Sequence, residues 1–201
     1  MTKTRLTDRK RAAIIEAAIS EFQQSGFDAT SMDKVSQQAA VSKRTLYNHF
    51  ASKEALFASC LDTLWNNCVN EENFRYSPSV PVRDQLLTMV KAKIAMLQEA
   101  SFQNLVRVAL AGALHSPERA KSIVEEISHK EEGLHRWIEA AQGDGRLKAV
   151  APAFAAMQLS SLIKGFAFWP QLTLGQPNLS AGECEQVAES TVTMFLACYG
   201  L

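Results

Sequence analysis

The sequence lacks the features that would place the chain in a membrane or in an oxidising compartment. No apolar run reaches the ~18 residues that a membrane-spanning helix needs. The first residues are basic but have none of the apolar stretch that a secretory signal requires. The four cysteines form neither a C-x-x-C pair nor the spacing of a zinc finger. These absences predict a soluble, cytoplasmic protein whose cysteines are small buried side chains.

Signatures of catalysis are also missing. The sequence contains no P-loop, no nucleophile elbow, no H-E-x-x-H and no glycine-rich dinucleotide turn. His129 and Glu132 form one pair at helical spacing and Glu131 and His135 form another, but the two pairs project to opposite flanks of the predicted helix. A solvated charged face explains this segment better than a metal site does. We therefore predict no metal and no cofactor. An enzyme with a site hidden in the helices is the weaker alternative.

The formal charge is zero overall but is unevenly distributed. Residues 1–60 contain nine Lys and Arg against six Asp and Glu, and residues 61–201 contain twelve against fifteen. Five of the basic residues precede or open the first predicted helix and form a basic arm: Lys3, Arg5, Arg9, Lys10 and Arg11. A basic N-terminal part on an acidic remainder is typical of a small domain that contacts phosphates and a larger one that does not.

Helical periodicity runs through the chain, and no β pattern appears. The first helix is predicted to begin at Thr7 or Asp8 and to end at Gly26. The two prolines in Tyr76–Pro81 mark the clearest loop, and Ser116-Pro117 begins a helix that Gly143 and Gly145 end. The pattern predicts an all-α fold of about nine helices. We divide it into a helix-turn-helix domain over residues 1–53 and a helical ligand-binding and dimerisation domain over residues 54–201.

The segment from Thr30 to Lys53 has the pattern of a helix-turn-helix. Thr30 can cap its first short helix and Ser42 its second. On the second helix Leu46 and Phe50 form the buried side at i, i+4. The opposite face is rich in cationic, hydroxyl and amide donors, which suits a helix that lies in the major groove of DNA.

A longer set of residues keeps a regular spacing from the first helix to the start of the fourth: Ala17-Ala18, Phe22, Gly26-Phe27, Thr30-Ser31, Val35, Ala39-Ala40-Val41-Ser42, Leu46-Tyr47-Asn48-His49-Phe50 and Lys53-Glu54-Ala55-Leu56. In this set the chain resembles TetR-type bacterial transcriptional regulators. Gly143–Leu147 and Lys164–Gln171 resemble the AefR-like subgroup of C-terminal domains. One departure is Ala40, because the family commonly has glycine in this turn. If the turn needs a positive φ, alanine strains it by roughly 1 kcal/mol.

The resemblance, together with the donor chemistry, defines the candidate DNA contacts. Tyr47 and His49 match residues that contact the DNA backbone, and Lys53 lies at a helix start that can bind a phosphate. Lys43, Arg44, Thr45 and Asn48 are the candidates for reading base edges. The full predicted set is Thr30, Ser31, Ser42, Lys43, Arg44, Thr45, Tyr47, Asn48, His49 and Lys53.

The resemblance also implies partners. A single recognition helix reads only a few base pairs, so a homodimer, built through the last two helices, is expected on double-stranded DNA with a palindromic operator. A small apolar or amphipathic effector is expected in the C-terminal helices, although each candidate lining residue is also explained by an ordinary core: Met89, Met96, Phe102, Leu105, Trp137, Phe166 and Trp169. These features predict a ligand-responsive repressor. A DNA-free adaptor that associates through its helices is a further alternative.

Overall fold

The computed structural model of the protein describes residues 2–68, 75–114 and 132–201. These residues form ten helices, which confirms the all-α fold class. They are α1 Thr2–Ala29, α2 Met32–Gln38, α3 Lys43–His49, α4 Lys53–Cys68, α5 Val82–Leu97, α6 Ala100–Leu114, α7 Glu132–Gly143, α8 Pro152–Ala167, α9 Trp169–Thr173 and α10 Ala181–Tyr199. The sequence pattern did not predict the single turn α9, which follows directly on α8.

The described helices belong to two compact units. The first unit contains α1 to α3, α4 as far as Trp65, and α6. Its core is built around three phenyl rings, with the ring of Phe22 4.9 Å from that of Phe57 and the ring of Phe27 5.3 Å from that of Phe57. The side-chain amide of Gln23 donates to the Ser101 carbonyl at 3.2 Å and ties α1 to α6. The boundary between residues 53 and 54 stays a prediction.

Helix α1 differs from its predicted limits. It begins at Thr2 rather than at Thr7 or Asp8, so the residues expected to form a basic arm lie within a helix. The reason is that Lys and Arg are good helix formers and no proline or glycine interrupts residues 2–13. Gly26 breaks the helical geometry as expected, with φ 77° and ψ 173°, and a last turn to Ala29 follows it.

The second unit contains α5 and α7 to α10. The four longer helices each contribute a buried apolar stripe, for example Leu86, Val90 and Ile94 on α5 and Val192 and Phe195 on α10. The indole N–H of the buried Trp137 donates to Gln85 Oε1 at 3.1 Å, so α5 and α7 share a polar contact inside the core. An antiparallel bridge joins Leu147 to Gly200.

Several helix limits agree with the sequence. Pro152 begins α8, Ser180 caps α10 with a complete capping box, and Gly145 follows α7 with φ 67°. The predicted helix start at Ser116-Pro117 lies outside the described residues, as do His129, Glu131 and the predicted extension of α4 to Phe74.

Candidate nucleic-acid interface

Helix α3 exposes one donor-rich face. Ser42 is its N-cap and accepts a hydrogen bond from the Thr45 backbone N–H at 3.1 Å. Leu46 and Phe50 are buried, as the i, i+4 spacing predicts. The outward residues Lys43, Arg44, Tyr47 and Asn48 are exposed, and Thr45 and His49 are half-buried. Tyr47 has half of its surface open, at 51%. Such exposure in an aromatic residue on a seven-residue helix fits a binding surface.

The turn between α2 and α3 forms a Schellman motif around Ala40. The Ala40 N–H donates to the Gln37 carbonyl at 3.1 Å and the Val41 N–H to the Ser36 carbonyl at 3.0 Å. This geometry requires the left-handed region at residue 40, and Ala40 has φ 52°. The end of α7 uses the same pair of hydrogen bonds with Gly145 at the equivalent position. Ala40 therefore adopts the strained conformation that the sequence-based argument had made conditional.

The cap of α2 corrects one prediction. Ser31, not Thr30, is the N-cap, and its hydroxyl accepts from the Asp33 N–H at 3.2 Å. The Thr30 hydroxyl instead donates to the Gly26 carbonyl at 2.6 Å and lies within 3.3 Å of the Glu21 carbonyl, at the end of α1. Thr30 is only 3% exposed. A buried hydroxyl that closes a helix end does not reach a phosphate, so Thr30 does not fit as a DNA contact, whereas the half-buried Ser31 still does.

The sequence predicted a phosphate contact at Lys53, but in the structure its side chain binds backbone carbonyls of the same chain. Its ammonium donates to three carbonyl oxygens, those of Phe27 at 2.8 Å, Asp28 at 3.1 Å and Thr30 at 3.1 Å. It also lies 4.7 Å from the centre of the Phe27 ring. An ammonium has three donors, so these carbonyls use all of them. Lys53 thus joins the start of α4 to the end of α1, next to the helix-turn-helix.

Two further side-chain contacts link elements of the first unit that are distant in the sequence. Lys43 Nζ lies 2.6 Å from Asp33 Oδ2, which links α3 to α2. Arg11 stacks over the Phe50 ring at 5.1 Å and donates to Ser59 Oγ at 3.4 Å, which links α1 to the end of α3 and to α4. Sequence reasoning missed both contacts, because pairs ten and 39 residues apart have no local periodicity to reveal them.

Comparison with known proteins identifies the architecture. Residues 14–60 match the family model of bacterial regulatory proteins of the TetR family, and residues 84–201 match the model of the C-terminal domain of AefR-like transcriptional repressors. The chain belongs to the TetR family of transcriptional regulators. This confirms the resemblance seen in the sequence and the expectation that the protein is not an enzyme, since TetR-family proteins are transcriptional regulators.

Individual relatives match most of the chain. A regulator from Pseudomonas syringae pv. tomato is 47% identical over 96% of this chain and 98% of its own, with a TM-score of 0.78. The flavonoid-responsive regulator FrrA is 28% identical over 96% of this chain and 98% of its own, with a TM-score of 0.75. The HTH-type regulator YhgD of Bacillus subtilis is 30% identical over 69% of either chain.

The candidate effector residues occupy two kinds of environment. Most of them are buried in the core of their unit: Met89, Met96, Phe102, Leu105 and Trp137. Phe166 and Trp169 are instead exposed, at 57% and 45%. Phe102 and Leu105 lie on α6 of the first unit, and the other five lie in the second unit. The exposed side chains of Phe166 and Trp169 are therefore not part of the buried core of the second unit.

Among the described side chains, no group of three or more His, Cys, Asp or Glu is placed to hold a metal ion. None of the helices in residues 2–68, 75–114 and 132–201 is long and apolar enough to cross a membrane.

Proposed function

We propose that the protein is a homodimeric repressor that binds a palindromic operator and is released by a small apolar or amphipathic effector. The observation that carries the proposal is the face of α3, where exposed donors lie opposite the buried Leu46 and Phe50. A short helix supported by a core on one side and bearing donors on the other has the form of a major-groove reader. Its target is DNA, so the cytoplasm is the proposed location.

The α3 residues divide into two proposed roles. Arg44 and Asn48 have the donor geometry to pair with guanine and adenine edges, and Lys43 and Thr45 stand beside them. Tyr47 and His49, with the cap residues Ser31 and Ser42, are proposed to bond backbone phosphates, which fixes the register of the helix. At Lys53 we propose that the positive end of α4 faces a phosphate while the ammonium holds α1 in place.

The homodimer is proposed to form through α8 and α10. On α8, Phe154 and Met157 are exposed, and the small residues Ser161 and Gly165 continue the same stripe. Met194 is exposed on α10. Contiguous exposed apolar side chains on neighbouring helices are typical of an association surface, and small residues let two helices approach closely. Ser160 on α8 and Ala188 on α10 are also small, but both are buried within the unit.

The effector proposal rests on the second unit and on one relative. Met89, Met96 and Trp137 give that unit the adaptable apolar interior that effector sites share. FrrA, at 28% identity, is named as flavonoid-responsive, and flavonoids are amphipathic aromatic molecules. An effector shifts the regulator only as far as it prefers the conformer that does not fit the operator.

A binding assay on the DNA upstream of the protein's own gene tests the proposal. We expect the wild type to retard one fragment selectively, with an affinity that falls as salt rises. The variant R44A/Y47A should lose about tenfold or more in affinity, because one good base-edge contact such as that proposed for Arg44 contributes roughly 1–3 kcal/mol. The matched control R136A removes an exposed arginine from α7 and should bind as the wild type does. Equal affinity of the wild type and R44A/Y47A, or no selective complex at low salt, would contradict the proposal and favour the adaptor.

A further inference from the structure

The basic segment that opens α1 is a patch of charge that the contacts proposed above leave unused. Residues 2–13 contain five Lys and Arg and one acidic residue, Asp8. They form the first turns of α1, and Ile14 is the first buried residue among residues 6–29. Arg9 and Lys10 are exposed, and no salt bridge in the described part of the chain pairs either side chain. This positive charge therefore lies outside the core of the first unit.

Arg11 shows where the segment lies relative to α3. Its guanidinium is 5.1 Å from the centre of the Phe50 ring, and Phe50 is the C-cap of α3. Because Arg9 and Lys10 directly precede Arg11, they lie on the turn of α1 that adjoins the end of α3. A helix in the major groove has a phosphate chain along each side, and basic side chains beside the end of that helix are placed to meet one of these chains.

The helical state of the segment decides which part of DNA it fits. No residue of α1 before Gly26 departs from helical geometry, so residues 2–13 are a helix rather than an extended arm. An α-helix with its side chains is about 10–12 Å wide, whereas the minor groove of B-DNA is about 6 Å wide. An extended basic arm can lie in that groove, but a helix is too wide to enter it. Lys and Arg on the outside of a helix still reach phosphate oxygens, because such contacts need charge more than exact geometry.

We propose that the first turns of α1, through Arg9 and Lys10, bind the phosphate backbone of the operator beside the groove that α3 enters. The inference rests on the proposed function, since it adds a contact surface for the same DNA. This contact strengthens binding to any duplex and adds no base preference, because phosphates carry no sequence information. Discrimination between sequences stays with α3, and α1 increases the dependence of DNA affinity on salt.

Paired removals of charge test the contact on the full-length protein. R9Q/K10Q removes two positive charges and keeps the helix, because Gln forms helices about as well as Lys and Arg do. The control R75Q/R136Q removes two exposed arginines from the second unit and has the same net charge. Fluorescence anisotropy over a salt series measures the affinity for the fragment that the wild type selects and for an unrelated duplex of equal length.

We expect R9Q/K10Q to bind both duplexes about tenfold or more weakly than the wild type at low salt. The slope of log K against log salt should fall by about 1.8 for each bound protomer, at about 0.9 for each lost phosphate contact. The ratio of the two affinities and the Tm should stay unchanged. R75Q/R136Q should keep the slope of the wild type.

The outcomes separate this contact from the proposed function. A wild type without a selective complex contradicts the repressor, and the slopes on the unrelated duplex still test α1. If R9Q/K10Q keeps the slope, or if R75Q/R136Q lowers it equally, the contact at α1 is wrong and the repressor stands. A further series places A·T or G·C pairs beside the selected site. A loss in R9Q/K10Q that occurs only with A·T flanks would mean that the segment reads the minor groove, which also contradicts the inference.

Discussion

Lys43 and Asp33 join the two helices of the helix-turn-helix through an ion pair of 2.6 Å between Nζ and Oδ2. Both side chains are more than half exposed, so the pair contributes no more than about 1 kcal/mol to stability. We expect the pair to affect DNA binding more than stability. Lys43 begins the recognition helix, and the carboxylate beside it reduces the positive charge that this end of the helix presents to DNA.

Replacing Asp33 with asparagine should therefore strengthen DNA binding. D33N removes one negative charge and releases the ammonium of Lys43, so we expect higher operator affinity and a steeper salt dependence, by up to about one unit in the slope of log K against log salt. Fluorescence anisotropy over a salt series measures both quantities. The control E185Q breaks the comparably exposed pair between Lys91 and Glu185 in the second unit and should leave the slope unchanged. Weaker binding by D33N would show that the pair positions α3 for DNA.

Glycine at position 40 should stabilise the protein. Ala40 has φ 52° inside a Schellman motif, and an L-residue other than glycine is disfavoured there by about 1 kcal/mol. A40G should raise Tm by about 2–4 °C in a chain of this size. Ala39, the preceding C-cap, has φ −75°, where glycine offers no relief, so A39G should not raise Tm. Equal shifts for the two variants would contradict the strain argument.

Loss of the Lys53 ammonium should weaken operator binding by altering the position of the helices. K53M leaves the carbonyls of Phe27, Asp28 and Thr30 without their donor, so we expect a lower Tm and about tenfold weaker DNA binding. If the ammonium bonded a phosphate, the salt slope would fall by about 0.9. We expect an unchanged slope, measured as for D33N. A smaller slope with an unchanged Tm would mean that Lys53 leaves the carbonyls and binds DNA.

Charge on the exposed stripe of α8 should separate the protomers. M157E places a carboxylate among Phe154, Ser161 and the opposing copy of this surface, where its desolvation disfavours association by several kcal/mol. Light scattering after size exclusion should give twice the chain mass of 22.2 kDa for the wild type and the single mass for M157E. L174E changes a side chain that is also exposed but lies in the loop after α9, and it should remain dimeric. A dimeric M157E would place the interface elsewhere.

Cys60 should be inert to alkylation in the folded protein. Burial raises the pKa of its thiol to about 12, although Arg11 acts in the opposite direction. A raised pKa keeps the thiol protonated at pH 8, and only the thiolate reacts with iodoacetamide, so labelling should be about a hundredfold slower than in urea. Peptide mass spectrometry of native and unfolded samples gives the two rates. Comparable rates would mean that Cys60 is exposed by local opening.

The features of the fold that depend on residues close together in the sequence could be predicted from it. Periodicity reveals neighbours that lie within one helical turn of each other. Features that depend on such neighbours were predictable: the stripe of Leu46 and Phe50, the caps at Ser42 and Ser180 and the proline start of α8. The break in helical geometry at Gly26 was predictable for the same reason. The sequence also allowed the strain at Ala40 to be predicted conditionally, because a Schellman motif requires a positive φ at this position and Ala40 has one.

What the sequence could not reveal depends on distant contacts. Either Thr30 or Ser31 could cap α2, and the choice was decided by the end of α1, which accepts the Thr30 hydroxyl. A lysine at a helix start suggested a phosphate contact, and only the fold brings the Phe27 and Asp28 carbonyls to Lys53. Lys93 interrupts the apolar pattern of α5. Its burial beside Ser160 depends on how α5 and α8 pack, and a contact between residues so far apart in the sequence has no local signal.

The stacked and edge-on rings of Phe22, Phe27 and Phe57 belong to a core that the first unit has to itself. Substitutions on the exposed face of α3 leave that core untouched, and so do substitutions inside the second unit. On the proposed function, a lineage can change its operator without changing its effector, or change its effector without changing its operator. Gene duplication followed by independent substitutions on α3 and inside the second unit would produce regulators with the same fold but different operators and effectors.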